Sequence, residues 1–225
     1  DDKLSTVKTV NGKKPVFFGL DAKNDFYAKN IKNSGDGKVL ATLCFDNNNI
    51  DVEIPAIGTY MVTNALAAAA AGKLLGLTDE EIANGVASYK TVGSRANVMN
   101  TGKIKIIDDC YNANPTSVRA SLDTLSNLDG RKVAILGDMK ELGSEELKLH
   151  FDTGVYAKSK GIGTVITVGE LAKELAKGAD GKAFDTIEDA KSEILKTIKS
   201  GDVVLVKASH SMQFENIVEF LKQNF

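Results

Sequence analysis

Hydrophobic positions along the chain follow two rhythms. Up to about Pro55, the β-prone runs KPVFFGL, KVLATLCF and NIDVEIPAI alternate with turns rich in Asn, Gly and Asp, the pattern of hairpins or a meander. These runs do not make a complete domain by themselves. Helical signals follow. VTNALAAAAAGKLLG has high helix propensity and stops at a glycine, and Thr78-Asp79-Glu80-Glu81 reads as a capping box opening a second helix toward Tyr89. Together they predict a helix hairpin.

Beyond TVGSR, Thr91 to Arg95, short β-branched runs alternate with longer amphipathic stretches, the βα repeat of a mostly parallel sheet. Strands are expected at Ile104 to Ile107, Lys132 to Leu136, Thr164 to Val168 and Val203 to Val206, with a weaker one at Lys182 to Phe184. Helices are expected around Pro115 to Leu128, Ser144 to Ser159, Ile187 to Lys199 and Ser211 to Lys222. The change of rhythm predicts a boundary near Val92, dividing residues 1–91 from 92–225.

A doubly wound α/β sheet takes its ligands in the crevice at the carboxyl ends of its strands, so the segments after the strands are where chemistry is expected. They read DDCYNANP, GDMKELG, GE and KASHSMQ. If those strands are neighbours, Asp108, Asp109, Asn112, Asn114, Asp138, Lys207 and His210 share one rim.

Composition narrows the partners. The chain has 225 residues, 43% of them hydrophobic, enough for one large or two modest domains. Its 28 basic and 30 acidic residues are interleaved, with a net charge of −2 and no Lys/Arg stripe for nucleic acid or an anionic membrane. Small ligands are expected instead. Cys44 and Cys110 lie far apart without CxxC spacing, which fits free thiols in a reducing, cytoplasmic compartment. The first residues carry no apolar signal core, and the Ala65 to Ala71 run is too short to span a bilayer, so no membrane anchor is expected.

At the first polar corner, Asn114 suits an N-cap and Pro115 the first helical position, leaving backbone N–H groups outward as an anion site. Taken alone, plain capping is the better account of those two residues, since Asn-Pro before an apolar helix is ordinary local chemistry. Two adjacent carboxylates and two carboxamides exceed what a cap requires, and carboxylates there suit ribose hydroxyls, an amine or the water shell of a metal. Lys207 reads either as the neutraliser of a carboxylate or phosphate or as a solvent-facing strand exit. His150 reads as a solvated or capping helix residue, and Cys110 as a packing residue with no base beside it. No GxxxxGK[ST] occurs, since GDGKV, TGKIK and DGKAF all lack the length, the hydroxyl or the context of a phosphate loop.

DDCYNANP followed by LGDMKELG, with GTYMVTNALAAAAA, Ser94-Arg95, His150 and LVKASHSM in the same order, resembles the Mur ligase family over essentially the whole chain. The resemblance implies that residues 1–91 are the strand and helix-hairpin tail of a central ATP-binding domain lacking its phosphate loop. Asp1-Asp2 would end an Asn-x-Asp-Asp segment of that domain, and residues 92–225 would form a complete Rossmann-like C-terminal domain. It implies an ATP- and Mg2+-dependent amide ligase of peptidoglycan precursor synthesis that acts through an acyl phosphate. The substrates would be UDP-N-acetylmuramoyl-tripeptide and D-Ala-D-Ala, with N-terminal domains of the same polypeptide supplying the phosphate loop, so that this piece alone is inactive.

Residue by residue, the resemblance sets Asn64 near the adenine, Arg95 on the ATP phosphates and Asp109 near the ribose, the last two also as catalytic groups. Tyr111, Asn112, Asn114 and Pro115 would face the dipeptide; Asp138, Glu141 and Leu142 match the GDMxELG loop, and Lys207 and His210 stand on the substrate side. No metal ligand is implied within this chain. The sequence departs from the family's usual pattern at Tyr60-Met61 and at Ala208-Ser209-His210. Two other readings remain open: a nucleotide- or dipeptide-binding module that has lost ligase activity, and a dinucleotide-dependent oxidoreductase, against which the absence of GxGxxG counts.

Overall fold

The structure, a computed structural model, describes residues 4, 6–34, 37–91 and 93–225. Asp1, Asp2 and the expected boundary residue Val92 lie outside the described residues. The chain divides into two compact units, Asp1–Lys90 and Thr91–Phe225.

In the first unit β1 (Tyr27–Ser34), β2 (Lys38–Phe45) and β3 (Asn48–Ile54) form an antiparallel meander in that order. The helices α1 (Met61–Leu74) and α2 (Asp79–Ala87) pack on it as a hairpin. Phe26, Leu43, Phe45 and Ile54 meet Val62, Leu66, Ala69 and Ile82 in one apolar core. Ala65, Ala69 and Ala70 are all buried, so small side chains let α1 approach the sheet closely. The helix ends with Gly76 at φ 88°, and Leu77 N–H donates back to the Gly72 carbonyl, the C-terminal glycine cap. KPVFFGL forms no strand. Phe17 N–H donates to the Asp25 side chain, while the Phe26 N–H donates to the Phe17 carbonyl and the Gly19 N–H to the Phe26 carbonyl. The ladder instead begins at β1, whose mixed sequence YAKNIKNS buries little of its outer face.

In the second unit β4 (Asn97–Asn100) runs antiparallel to β5 (Lys105–Asp108). The parallel strands β6 (Arg131–Gly137), β7 (Thr164–Val168), β8 (Lys182–Phe184) and β9 (Asp202–Lys207) complete one sheet, in the order β4-β5-β9-β6-β7-β8. Every residue of β9 is buried, as expected for a central parallel strand covered on both faces.

The helices are α3 (Pro115–Ser126), α4 (Glu146–Ser159), α5 (Ala172–Ala179), α6 (Ile187–Thr197) and α7 (Glu215–Asn224). The chain steps from β5 through β6 and β7 to β8 in one direction, then returns across the sheet to insert β9. Right-handed crossovers therefore put α3, α4 and α5 on one face and α6 and α7 on the other. Ile106, Ile135, Val204 and Val206 pack with Ile194, Ile217 and Leu221 of the second face; Ile107, Ala134, Leu136 and Leu205 alternate to the first, where α3 lies on β6 and β9.

The short helix α5 and the edge strand β4 are not among the expected elements. The helices α4 and α5 are in intimate contact because Gly154 and Gly178 face the partner backbone. A Cβ on Gly154 would overlap the Leu175 carbonyl oxygen, and one on Gly178 the Phe151 carbonyl oxygen.

Candidate functional site

The strand order decides which loops meet. In the β5/β9 ladder Asp108 lies opposite Val206, and in the β9/β6 ladder Lys207 lies opposite Leu136. The segments that begin at Asp109, Ala208 and Asp138 therefore leave three adjacent strands at the same carboxyl edge. Insertion of β9 between β5 and β6 is what brings them together.

Asp109 is the most heavily bonded group of this rim. Its Oδ2 accepts from Lys207 Nζ and from Ser121 Oγ of α3, both at 2.6 Å, and its Oδ1 accepts from the Ala96 N–H at 3.0 Å. Lys207, only 3% exposed, also donates to the Asn112 carbonyl at 2.8 Å. The pair is a buried ion pair supplemented by neutral donors, the arrangement under which a buried charge is tolerated. Lys207 thus neutralises a carboxylate and does not face solvent. Asp108, beside it, accepts from the Cys110 N–H at 3.3 Å. Burial, together with the Asp108 charge, pushes the Cys110 thiol well up from its ordinary value, so the sulfur stays protonated and donates to the Val206 carbonyl.

Tyr111, by contrast, projects outward. Its N–H donates to the Ser94 carbonyl at 2.9 Å, the Arg95 guanidinium carbon lies 3.6 Å from its ring centroid, and the His210 ring is centred 6.0 Å away. Three of the expected site residues, Arg95, Tyr111 and His210, are one exposed cluster. Asn112 accepts its neighbour Ala113 N–H through its own side chain. Asn114 caps α3: its Oδ1 accepts from the Ser117 N–H at 2.8 Å, while the Asn114 N–H donates to Ser117 Oγ at 3.1 Å, with Pro115 at the first turn. The local capping function is therefore fully realised.

The GDMKELG segment is tied to both sides. Asp138, 2% exposed, accepts from the Ala172 N–H at the start of α5 and from Lys140 Nζ, at 2.8 and 2.7 Å. A side chain on Gly169 (φ 120°) would overlap that carboxylate. The Ser209 N–H donates to the Asp138 carbonyl and Ser209 Oγ accepts from the Lys140 N–H, joining the β6 and β9 loops. Glu141 is exposed in a left-handed conformation, φ 64°. His150 is neither solvated nor a cap. It is fully buried, its Nε2 accepts from the Met139 N–H at 2.9 Å, and its Nδ1 lies 2.7 Å from the Glu146 carbonyl. That pair of contacts assigns the ring proton to Nδ1, and the ring braces the loop.

Asn64 belongs to the first unit, where its Nδ2 contacts Met61 Sδ at 3.4 Å and the side chain lines a cleft between α1 and α2 with Glu81 and Tyr89. Ser121 and Ser209 were not among the expected site residues. The signal for Ser121 was available: a serine on the buried stripe of α3 beside Val118, Leu122 and Leu125 needs a polar partner.

A mostly parallel, doubly wound sheet with helices on both faces and a polar, charge-paired rim at the carboxyl ends of its central strands defines a class, the doubly wound α/β proteins. The particular family follows from comparison with known proteins. Residues 94–210 match the model of the Mur ligase glutamate ligase domain and residues 1–72 that of the Mur ligase middle domain. The chain belongs to the Mur ligase family.

It is 34% identical to the UDP-N-acetylmuramoyl-tripeptide--D-alanyl-D-alanine ligase of Bacillus subtilis (strain 168), over 91% of this chain and 46% of the relative. It is 32% identical to the enzyme of the same name from Escherichia coli (strain K12), over 100% of this chain and 50% of the relative. Among solved structures it resembles MurF from Acinetobacter baumannii, with TM-score 0.85 and 29% identity over 92% of this chain and 46% of the other. It also resembles the MurF ligase of Thermotoga maritima in complex with ADP, with TM-score 0.82 and 27% identity over 93% and 48%. The chain thus spans about half the length of the relatives it matches.

Proposed function

We propose that this chain is the middle-domain tail and C-terminal domain of an ATP-dependent ligase that joins D-Ala-D-Ala to UDP-N-acetylmuramoyl-tripeptide. In this reading ATP phosphorylates the peptide carboxylate, and the dipeptide amine attacks the resulting acyl phosphate. The observation that carries the reading is the exposed Arg95, Tyr111 and His210 cluster beside the buried Asp109–Lys207 pair, on a chain similar to ligases named for that reaction.

The rim residues fit a nucleotide in kind: Arg95 offers a planar, permanently charged fork suited to phosphate oxygens, and its neighbours Ser94 and Ala96 are hydrogen-bonded to Tyr111 and Asp109. Among the described residues no three His, Cys, Asp or Glu side chains come together to hold a metal ion; in this reading the magnesium ligands lie on the parts of the polypeptide that carry the phosphate loop. The contribution of the C-terminal unit is positioning and electrostatics. Arg95 meets the phosphates, the 111–114 turn and the 138–142 loop orient the dipeptide, and domain closure assembles the two. Alone, residues 1–225 are proposed to be inactive, because they contain no phosphate loop. Among the described residues no helix is long and apolar enough to cross a membrane.

The test is phosphate release by the full-length protein with ATP, magnesium and UDP-N-acetylmuramoyl-tripeptide, with and without D-Ala-D-Ala, using residues 1–225 as control. Dipeptide-dependent release by the long form alone is the expected result. Release without dipeptide dependence would overturn the assignment of the amine substrate.

A further inference from the structure

Lys207 is 3% exposed, at the end of the central strand β9. Its ammonium donates to Asp109 Oδ2 at 2.6 Å and to the Asn112 carbonyl at 2.8 Å, and approaches the Asp109 carbonyl at 3.4 Å. An ammonium has three protons and no acceptor, so all of its donors are spent on residues 109–112 and none is left for a substrate oxygen. The same short segment holds the chain around Arg95 at both flanks. Asp109 Oδ1 accepts the Ala96 N–H at 3.0 Å, with Ala96 in a left-handed turn at φ 52°. The Tyr111 N–H donates to the Ser94 carbonyl at 2.9 Å. The Arg95 side chain then lies on the Tyr111 ring.

We propose that Lys207 is a positioning residue for Arg95, anchoring through Asp109 and Asn112 the loop that fixes the Arg95 backbone and carries the ring under its guanidinium. This rests on the ligase reading insofar as Arg95 is the group that meets the nucleotide. Lys207 itself touches no substrate. It acts by tying the 109–112 turn to the end of β9 through Asp109 and the Asn112 carbonyl.

Two experiments test it. In residues 1–225, Lys207→Met is expected to speed amide hydrogen exchange at Ala96 and Tyr111 by about tenfold or more while amides of β6 and β7 keep their protection. Unchanged exchange at those two amides, or an equal rise across the whole sheet, overturns the proposal. Should Lys207→Met fail to fold, Lys207→Arg, which keeps the charge but alters the reach, is read by the same two amides.

In the full-length protein Lys207→Met is expected to lower kcat/KM for ATP by about 10²-fold, and to add less than about threefold when Arg95 is already alanine, because groups that act through one another are not additive. Effects that multiply would mean that Lys207 works independently of Arg95. If the wild-type full-length protein shows no ATP-dependent ligation, the ligase reading fails, and the exchange experiment still decides whether Lys207 holds the Arg95 segment.

Discussion

The Arg95 guanidinium stacks on the face of the Tyr111 ring, 3.6 Å from its centroid, although the two residues lie on different segments, one before β4 and the other after β5. Tyr111 is 47% exposed, so the contact is a surface cation–π pair, for which about 0.5–1 kcal/mol is typical. Tyr111→Phe keeps the ring and Tyr111→Leu removes it. In the full-length protein the Phe variant is expected to hold kcat/KM for ATP within about twofold, and the Leu variant to lose about two- to fivefold, the same energy expressed as a rate. Equal losses in both variants would transfer the role from the ring to the hydroxyl.

Asn114 offers a way to separate capping from recognition. Its side chain accepts the Ser117 N–H, so Asn114→Ala is expected to destabilise the second unit by about 1 kcal/mol in urea unfolding. Asn114→Asp keeps a good N-cap and adds a favourable charge at the helix N-terminus, so its stability should match wild type. If the carboxamide also reads the dipeptide, the Asp variant loses ligation at full stability; an Asp variant with full activity would reduce Asn114 to a cap.

The parts of the fold that are local in origin were legible. Thr78 with Glu81 and Asn114 with Pro115 are caps built within four residues, and the buried strands β5, β6, β7 and β9 announce themselves as apolar runs. What escaped is tertiary. The helix α5 is short and small-residued, and the glycines that let it meet α4, Gly154 and Gly178, read as helix breakers until the neighbouring backbone is in view. KPVFFGL is apolar enough for a strand, yet Pro15 and Gly19 interrupt it, and the ladder forms from the more polar β1. At the site, the residue types were readable but not their pairing. Lys207 and Asp109 are 98 positions apart, and only the insertion of β9 beside β5 brings the ammonium to the carboxylate.

His150 illustrates the same point with a measurable cost. Both ring nitrogens are engaged, one by the Met139 N–H and the other by the Glu146 carbonyl, in a fully buried position. His150→Leu preserves much of the volume but leaves the Met139 N–H buried and unpaired, a loss of about 1–3 kcal/mol. Urea unfolding of residues 1–225 should show it, together with faster amide exchange at Met139. A variant as stable as wild type would mean that the 138–143 loop is not braced by this ring.

The capping box of α2 makes the first unit sensitive to acid. Glu81 Oε2 accepts the Thr78 N–H at 2.8 Å and the Thr78 hydroxyl at 2.9 Å; the backbone bond first, then the side-chain bond, hold its carboxyl below its ordinary 4.5. The ionised form is therefore favoured by folding. Its contribution is complete above the unfolded value and is lost as pH falls through the lower, folded one. Glu81→Gln keeps an acceptor for the Thr78 N–H but cannot titrate. The difference in Tm between wild type and Glu81→Gln, with wild type the more stable near about pH 6, is expected to shrink steadily toward about pH 3. A gap that stays constant or widens on acidification would show that the Glu81 charge contributes nothing to the cap.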